Sequence, residues 1–169
     1  DPCHLWQAGS MPQPLSPQLD DIRRELDDTR TRLHRLAAGP DETAWSRRPS
    51  PEGWSVGQCV AHLNLTAVEF LPRLQRAVAG EHPGTNTGTG RFRLGALGWL
   101  FVKVLEPPVR FRVRTPAAFD PAEPPPSVSA LAEFDRHHEA LDQLSVNANG
   151  LPLDRIKVIS PFDPRQRLR

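Results

Sequence analysis

Few residues in this 169-residue chain can do chemistry, and most of them are histidines. His62 shares a helical stripe with Gln58, Thr66 and Glu69, which lie three to four residues apart in turn. An imidazole in such a row reads either as a metal ligand or as a half-buried ring satisfied by hydrogen bonds. Glu69, two turns beyond His62, reads as a proton acceptor, an extra ligand or a solvated carboxylate. His137 and His138 are adjacent, so on a helix they point about 100° apart and do not share one metal. His138 falls on an apolar face and reads as a core residue, His137 as a surface one; His34 and His82 read as exposed. Cys59 falls near a buried stripe close to a helix start, where a thiol can be activated, although an inert core cysteine is the preferred reading. Arg110, Arg112 and Arg114 alternate with Val109, Phe111 and Val113, and this basic face reads as the solvated side of a crossover. The Asn64-Leu65-Thr66 sequon is discounted because it falls inside a helix. The chain has no CxxC pair and no GxxxxGK[ST] loop.

The bulk properties narrow the classes. The length fits one domain with an ordinary core. Hydrophobic residues are 38% and charged residues 24% of the chain, a globular balance. A formal net charge of +1 gives no field to recruit nucleic acid or an anionic membrane. Two cysteines without a scaffold spacing suit a reducing compartment. The opening DPCHLWQAGSM has neither a basic nor an apolar signal region. The most apolar run, Leu94 to Leu105, is far short of the roughly 20 residues that span a bilayer. The expectation is a cytoplasmic protein with no nucleic-acid or membrane partner.

Three long helices must position these residues. Ser16 reads as an N-cap, Pro17 as the first helical position, and Asp20 and Asp21 as the acidic first turn. Leu19, Ile22, Leu26, Leu33 and Leu36 give this helix one apolar stripe, and Gly39-Pro40 ends it. Residues 40–54 read as a loop whose Trp45 and Trp54 pack back on the bundle. Ser55 and Gln58 form a capping box, and Val56, Val60, Leu63, Ala67, Phe70, Leu74 and Val78 mark a second helix that Pro72 is expected to kink and Gly80 closes. Residues 81–91 read as a Gly/Thr-rich loop, Leu94 to Leu105 as a short apolar helix, and Val109 to Arg114 as a strand or extended crossover. PAEPPP at 121–126 is a stiff connector. Ser127 reads as the cap of the last clear helix, whose apolar face carries Val128, Leu131, Phe134, Leu141 and Leu144 and which Asn149-Gly150 ends. The tail holds no long helix. The pattern is an all-α bundle lacking a fourth wall.

Trp45, Arg48-Pro49, and Gly53-Trp54-Ser55-Val56-Gly57-Gln58 followed by His62-Leu63 resemble the DinB/YfiT-like four-helix bundles. There a tryptophan-containing loop leads into W-S-x-G-x-x-x-x-H-L. Phe111 to Phe119, and Lys157-Val158 with Ser160-Pro161, resemble that family's crossover and the stretch before its last helix. The resemblance runs from about residue 16 to 169, and Trp45 to Leu63 is its specific part. It implies an up-down-down-up bundle with long crossovers and a three-histidine site for a divalent transition metal, zinc, nickel or iron. One ligand comes from the second helix, where His62 matches. The other two come from an H-x-x-x-H pair on a final helix, often continuing H-L-W-Q.

By that resemblance the final helix is missing from the C-terminus, for Arg169 stands about where it should begin. His4-Leu5-Trp6-Gln7 matches its motif at the other end, which makes His4 a second candidate ligand. Residues 1–10, closing on Gly9-Ser10 before Met11, read as a tag, a linker or a displaced fragment of that helix, with 1–8 its relocated part. Residues 11–169 form the single domain. Trp45, Trp54, Gln58, Thr66 and Glu69 would line the pocket. The resemblance also implies a metal-dependent transferase acting on a small-molecule substrate with a low-molecular-weight thiol such as bacillithiol or mycothiol, or a metal-dependent hydrolase. The alternative is a non-catalytic, stress- or damage-induced bundle acting through dimerisation or a partner. A homodimer is expected, and no catalytic residue is assigned.

Overall fold

The computed structural model describes residues 14–82, 92, 95, 99, 102–103, 115–163 and 165–168. The helix α1 spans Pro17–Ala37, with the Ser16 side chain accepting from the Leu19 N–H and proline in its first turn. Residues 40–54 differ from the expected loop. Asp41 accepts from the Ala44 N–H and starts a short helix α2, Glu42–Ser46, which carries Trp45 inward. The long helix α3, Val56–Ala79, begins on the capping box and continues through Pro72 to Gly80. A 3-10 turn, Ala117–Phe119, precedes helix α4, Ser127–Asn147. Its N-cap is Pro126 rather than Ser127: Ser127 is already helical, and its N–H and hydroxyl both donate to the Glu42 carboxylate. Gly150, at φ 78°, turns the chain beyond α4. The tail adds a minimal antiparallel hairpin, β1 (Val158–Ile159) with β2 (Arg167–Leu168), to the all-α plan.

Side-chain bonds fix the helix directions. Ser16 pairs with Asn149, Arg23 with Asp142 and Arg30 with Asp135, so α1 and α4 run antiparallel. Gly57 lies against Pro124, just ahead of α4, and Asn64 donates to the Ala130 carbonyl a turn into it, so α3 and α4 run parallel. The order is up, down, down, as expected, and the parallel pair requires the long crossover between residues 80 and 126. The core lies where α4 meets its neighbours: Trp45, Val60, Ala130 and Phe134, with Leu33, Ala37 and Leu131 packed against them.

The buried faces are offset from the apolar stripes. On α3 the buried residues are Gly57, Gln58, Val60, Ala61, Asn64 and Leu71, whereas Val56 and Leu63 are exposed. Gly57 admits Trp45 of α2 and Pro124 ahead of α4, so close approach rather than bulk chooses this part of the face. On α1 Leu19 is buried but Leu36 is exposed, and on α4 Val128 is 79% exposed while Ala130 is closed off completely. The apolar helix expected at Leu94 to Leu105 falls largely outside the described residues, though Trp99, Val102 and Lys103 are helical. The 81–91 loop beyond His82, the Val109–Arg114 segment, His4 and the 1–10 segment also lie outside. No helix among the described residues is long and apolar enough to cross a membrane.

Candidate functional site

The site is built on the first two turns of α3. The Ser55 hydroxyl accepts from the Gln58 N–H at 3.1 Å, and the Gln58 side-chain oxygen accepts from the Ser55 N–H at 3.0 Å. The same amide of Gln58 donates to the Pro121 carbonyl at 3.3 Å, tying the crossover across the helix start. Trp45 closes the other side: its indole N–H donates to the Pro125 carbonyl at 2.9 Å, and its ring is wholly buried. Gly57 makes that approach possible, since a Cβ there would lie 2.4 Å from the Trp45 ring nitrogen and 2.6 Å from Pro124.

This clamp holds the Ala117–Phe119 turn against His62. Nδ1 of His62 lies 2.7 Å from the Phe119 carbonyl oxygen. A carbonyl only accepts, so Nδ1 carries the proton, and in the neutral ring Nε2 keeps its lone pair. No described residue hydrogen-bonds that nitrogen. Metal-binding imidazoles are commonly oriented in this way, one nitrogen donating to a carbonyl and the other left as the donor atom. Trp54 packs on the ring with centroids 5.0 Å apart at 46°. Beyond Phe119, Phe162 lies 5.0 Å from its ring and 6.1 Å from that of Phe70, so an aromatic wall continues along α3.

The other expected pocket residues divide. Trp54 lies beside His62, and Thr66 and Glu69 follow along α3 on the same side. The Thr66 hydroxyl donates to the His62 carbonyl at 2.8 Å, turned onto its own helix rather than toward the ring. Glu69 pairs with Arg73 at 2.9 Å, and that guanidinium also donates to the Glu69 carbonyl. Trp45 and Gln58 are buried and brace the site from beneath. Cys59 is exposed rather than near a buried stripe, and desolvation pushes its thiol pKa up, opposite to activation. His138 is buried as expected, stacked on Phe134, and His137 lies half-buried beside Glu133.

Sequence reasoning missed the Phe119 carbonyl and Phe162. A backbone acceptor exists at every residue, so no pattern marks the one that folds against His62. Among the described residues no three His, Cys, Asp or Glu side chains form a group able to hold a metal. The described residues therefore fit one ligand position, His62, and not a whole centre.

No curated protein and no solved structure matches the chain. A family model does, that of the DinB superfamily, over residues 25–168. With the capped α3, the Trp-bearing α2 and the up-down-down helix order, that match places the chain in the DinB superfamily.

Proposed function

We propose that this DinB-superfamily bundle is a metal-dependent transferase that uses a low-molecular-weight thiol, with His62 as a ligand of a divalent zinc, nickel or iron ion. The observation that carries the reading is the His62 ring, packed on Trp54, whose Nδ1–H is spent on the Phe119 carbonyl and whose Nε2 has no hydrogen-bond partner among the described residues. A bound divalent ion supplies a lowered pKa to a coordinated thiol or water. The chain's own contribution is orientation: the capping box, the Trp45 clamp and the Phe119 carbonyl fix the ring's tautomer and direction. Trp54 and Phe162 offer flat apolar surface for a substrate. Metal-dependent hydrolysis uses the same ring and is separated from thiol transfer by assay.

The remaining ligands lie beyond the described residues, and His4 is the one this chain offers. Asn64 pairs with Ala130, and the α1–α4 register then sets His62 level with the C-terminal end of α1. Pro14 is held at the opposite end by Asn149. The helix between them is about 30 Å long at 1.5 Å per residue. The ten residues from His4 to Pro14 reach roughly 33–36 Å at most. The chain before Pro14 is therefore long enough for His4 and His62 to serve one site.

The test is the metal content of the full chain after exposure to zinc, nickel and iron, for wild type, His62→Ala and His4→Ala. Near-stoichiometric metal lost in His62→Ala supports the reading and justifies thiol-transfer assays. Metal retained in His4→Ala removes His4 from the ligand set. No metal in any protein refutes the enzyme reading and favours a bundle that acts by dimerising or binding a partner.

A further inference from the structure

The α1–α4 seam repeats with a fixed step. Ser16 to Asn149, Arg23 to Asp142 and Arg30 to Asp135 advance by seven residues on both helices. Arg23 grips Asp142 with two bonds, at 2.5 and 2.9 Å, and Arg30 meets Asp135 at 2.9 Å. Four residues beyond Arg23 stands Asp27, and four before Asp142 stands His138, so the register sets these two opposite each other between the ion pairs. His138 is only 8% exposed, its ring 4.3 Å from that of Phe134, and its Nε2 has no hydrogen-bond partner among the described residues. The ring also lines an open groove of ≈ 730 Å³ between the two helices, together with Asp27, Asp28 and Glu139. A buried imidazole thus lines a solvent-reaching groove whose rim carries Asp20, Asp27, Asp28, Glu139 and Asp142 against Arg23, Arg24 and Arg30, a small excess of negative charge.

We propose that His138 makes the α1–α4 seam an acid-sensitive latch, closed while the ring is neutral and opened when protonation draws the ring out of the core toward Asp27. A neutral ring is tolerated against Phe134, whereas a buried imidazolium without a hydrogen-bonded partner is strongly disfavoured. Burial accordingly lowers the pKa of His138, and Arg30 lowers it further. Asp135 and Asp142 on α4 and Asp27 on α1 pull the other way and are outweighed, and no charged group of α3 acts on the ring. A histidine whose folded pKa lies below the unfolded value of about 6.5 resists the proton that the unfolded chain accepts. The seam's stability is full above about pH 6.5 and is lost as pH falls from there through the folded value. The flanking carboxylates titrate below this window: Arg23 holds Asp142 under the usual carboxylate range, and Asp135 is lowered against its desolvation by His34, whose Nε2 lies 2.8 Å away, and by Arg30.

The experiment compares wild type with His138→Phe and Asp27→Asn as full chains. Three quantities are read: the urea midpoint at pH 7.5 and 5.5, the NMR titration of the His138 ring, and hydrogen-exchange protection corrected for intrinsic rates. The expected result is a lower wild-type midpoint at pH 5.5 and a shift at least halved in His138→Phe. The ring titrates below an exposed histidine, and lower still in Asp27→Asn. At pH 5.5 the amides of α1 lose several-fold more protection than those of α3. An undiminished shift in His138→Phe overturns the proposal, as does a ring titrating at or above the ordinary value, or one unmoved by Asp27→Asn. Equal loss of protection in α1 and α3 also overturns it, since that is global unfolding and not a latch. If His138→Phe does not fold, the wild-type titration and exchange decide the matter.

Discussion

Gly57→Ala sets two physical effects of opposite sign against each other. On an isolated helix the change is favourable by about 1 kcal/mol, because alanine loses less backbone freedom than glycine. Here the new methyl would stand 2.4 Å from the Trp45 ring nitrogen, 2.9 Å from its neighbouring carbon and 2.6 Å from Pro124. None of these neighbours is the free end of a flexible chain. Trp45 is fully buried with its N–H bound to the Pro125 carbonyl, and Pro124 lies in the stiff connector to α4. Overpacking of this kind costs about 1–3 kcal/mol. If the indole moves, its hydrogen bond goes as well, leaving a buried donor unsatisfied at about 1–3 kcal/mol. Set against the helix gain, the net prediction is a loss of about 2 kcal/mol. For a domain of this size each kcal/mol moves Tm by about 2–4 °C, so Tm should fall by roughly 4–8 °C in a far-UV circular dichroism melt. An unchanged or raised Tm would show that helix propensity outweighs the clamp, and the account of how α2 is seated on α3 would be wrong.

Further predictions follow from the same physics. Ser55→Ala removes one half of the capping box and should destabilise by about 1 kcal/mol in urea melts; a change under about 0.3 kcal/mol would mean the cap is dispensable. Asp142→Asn should flatten the acid limb of stability. The hydrogen bond and charge of Arg23 hold the Asp142 carboxyl below its ordinary pKa despite some desolvation. Its contribution is therefore present above about pH 4 and lost as pH falls through the folded value. An unchanged slope below pH 4 in the variant would rule that pair out as a source. Val128→Ser should be silent, within about 0.5 kcal/mol, because the side chain is 79% exposed despite its place on the expected apolar face. Ala130→Leu, two residues on, should destabilise by about 1–3 kcal/mol, because nothing around it is open. Equal effects at 128 and 130 in thermal melts would contradict the observed orientation of α4.

Local chemistry was legible where the local chain decides it. The Ser16 cap with Pro17, and the Ser55–Gln58 box, are interactions within one turn, and both helices begin where those residues say. The reading failed where a distant segment decides. Residues 40–54 carry three prolines and read as loop, yet Asp41 caps a five-residue helix because Trp45 gains a buried seat against Gly57 and Pro125. The α3 stripe of large apolar residues was legible too, but only part of it packs in the core: Val60 is buried there, while Val56 and Leu63 are exposed. Gly57 lets Trp45 and Pro124 approach, and a count of hydrophobic side chains gives such a position no weight. Ser127 has the right type for a cap, but with Pro126 before it the helix starts one residue earlier, and the Glu42 carboxylate, far away in sequence, takes its N–H.

His62 and His138 show why residue type alone does not assign chemistry. Both sit on long amphipathic helices, His138 on an apolar face and His62 on the polar stripe with Gln58, Thr66 and Glu69, and each carries a bland alternative. What separates them is the partner of a single nitrogen. At His62 the Phe119 carbonyl takes one N–H, and the other nitrogen meets no hydrogen-bond partner among the described residues, an arrangement suited to giving a lone pair. At His138 the ring packs on Phe134 in the core, its Nε2 meets no partner among the described residues, and the groove beside it holds Asp27, an arrangement suited to responding to a proton. The W-S-x-G-x-x-x-x-H-L match points at the first and is silent on the second, because the motif records the helix that carries the ring. The carbonyl and the opposing carboxylate come from elements 57 and 111 residues away in the chain and reach these rings only through the fold. The roles are therefore separable by experiment: His62→Ala should act on bound metal and leave the pH slope of stability intact, and His138→Phe should do the reverse.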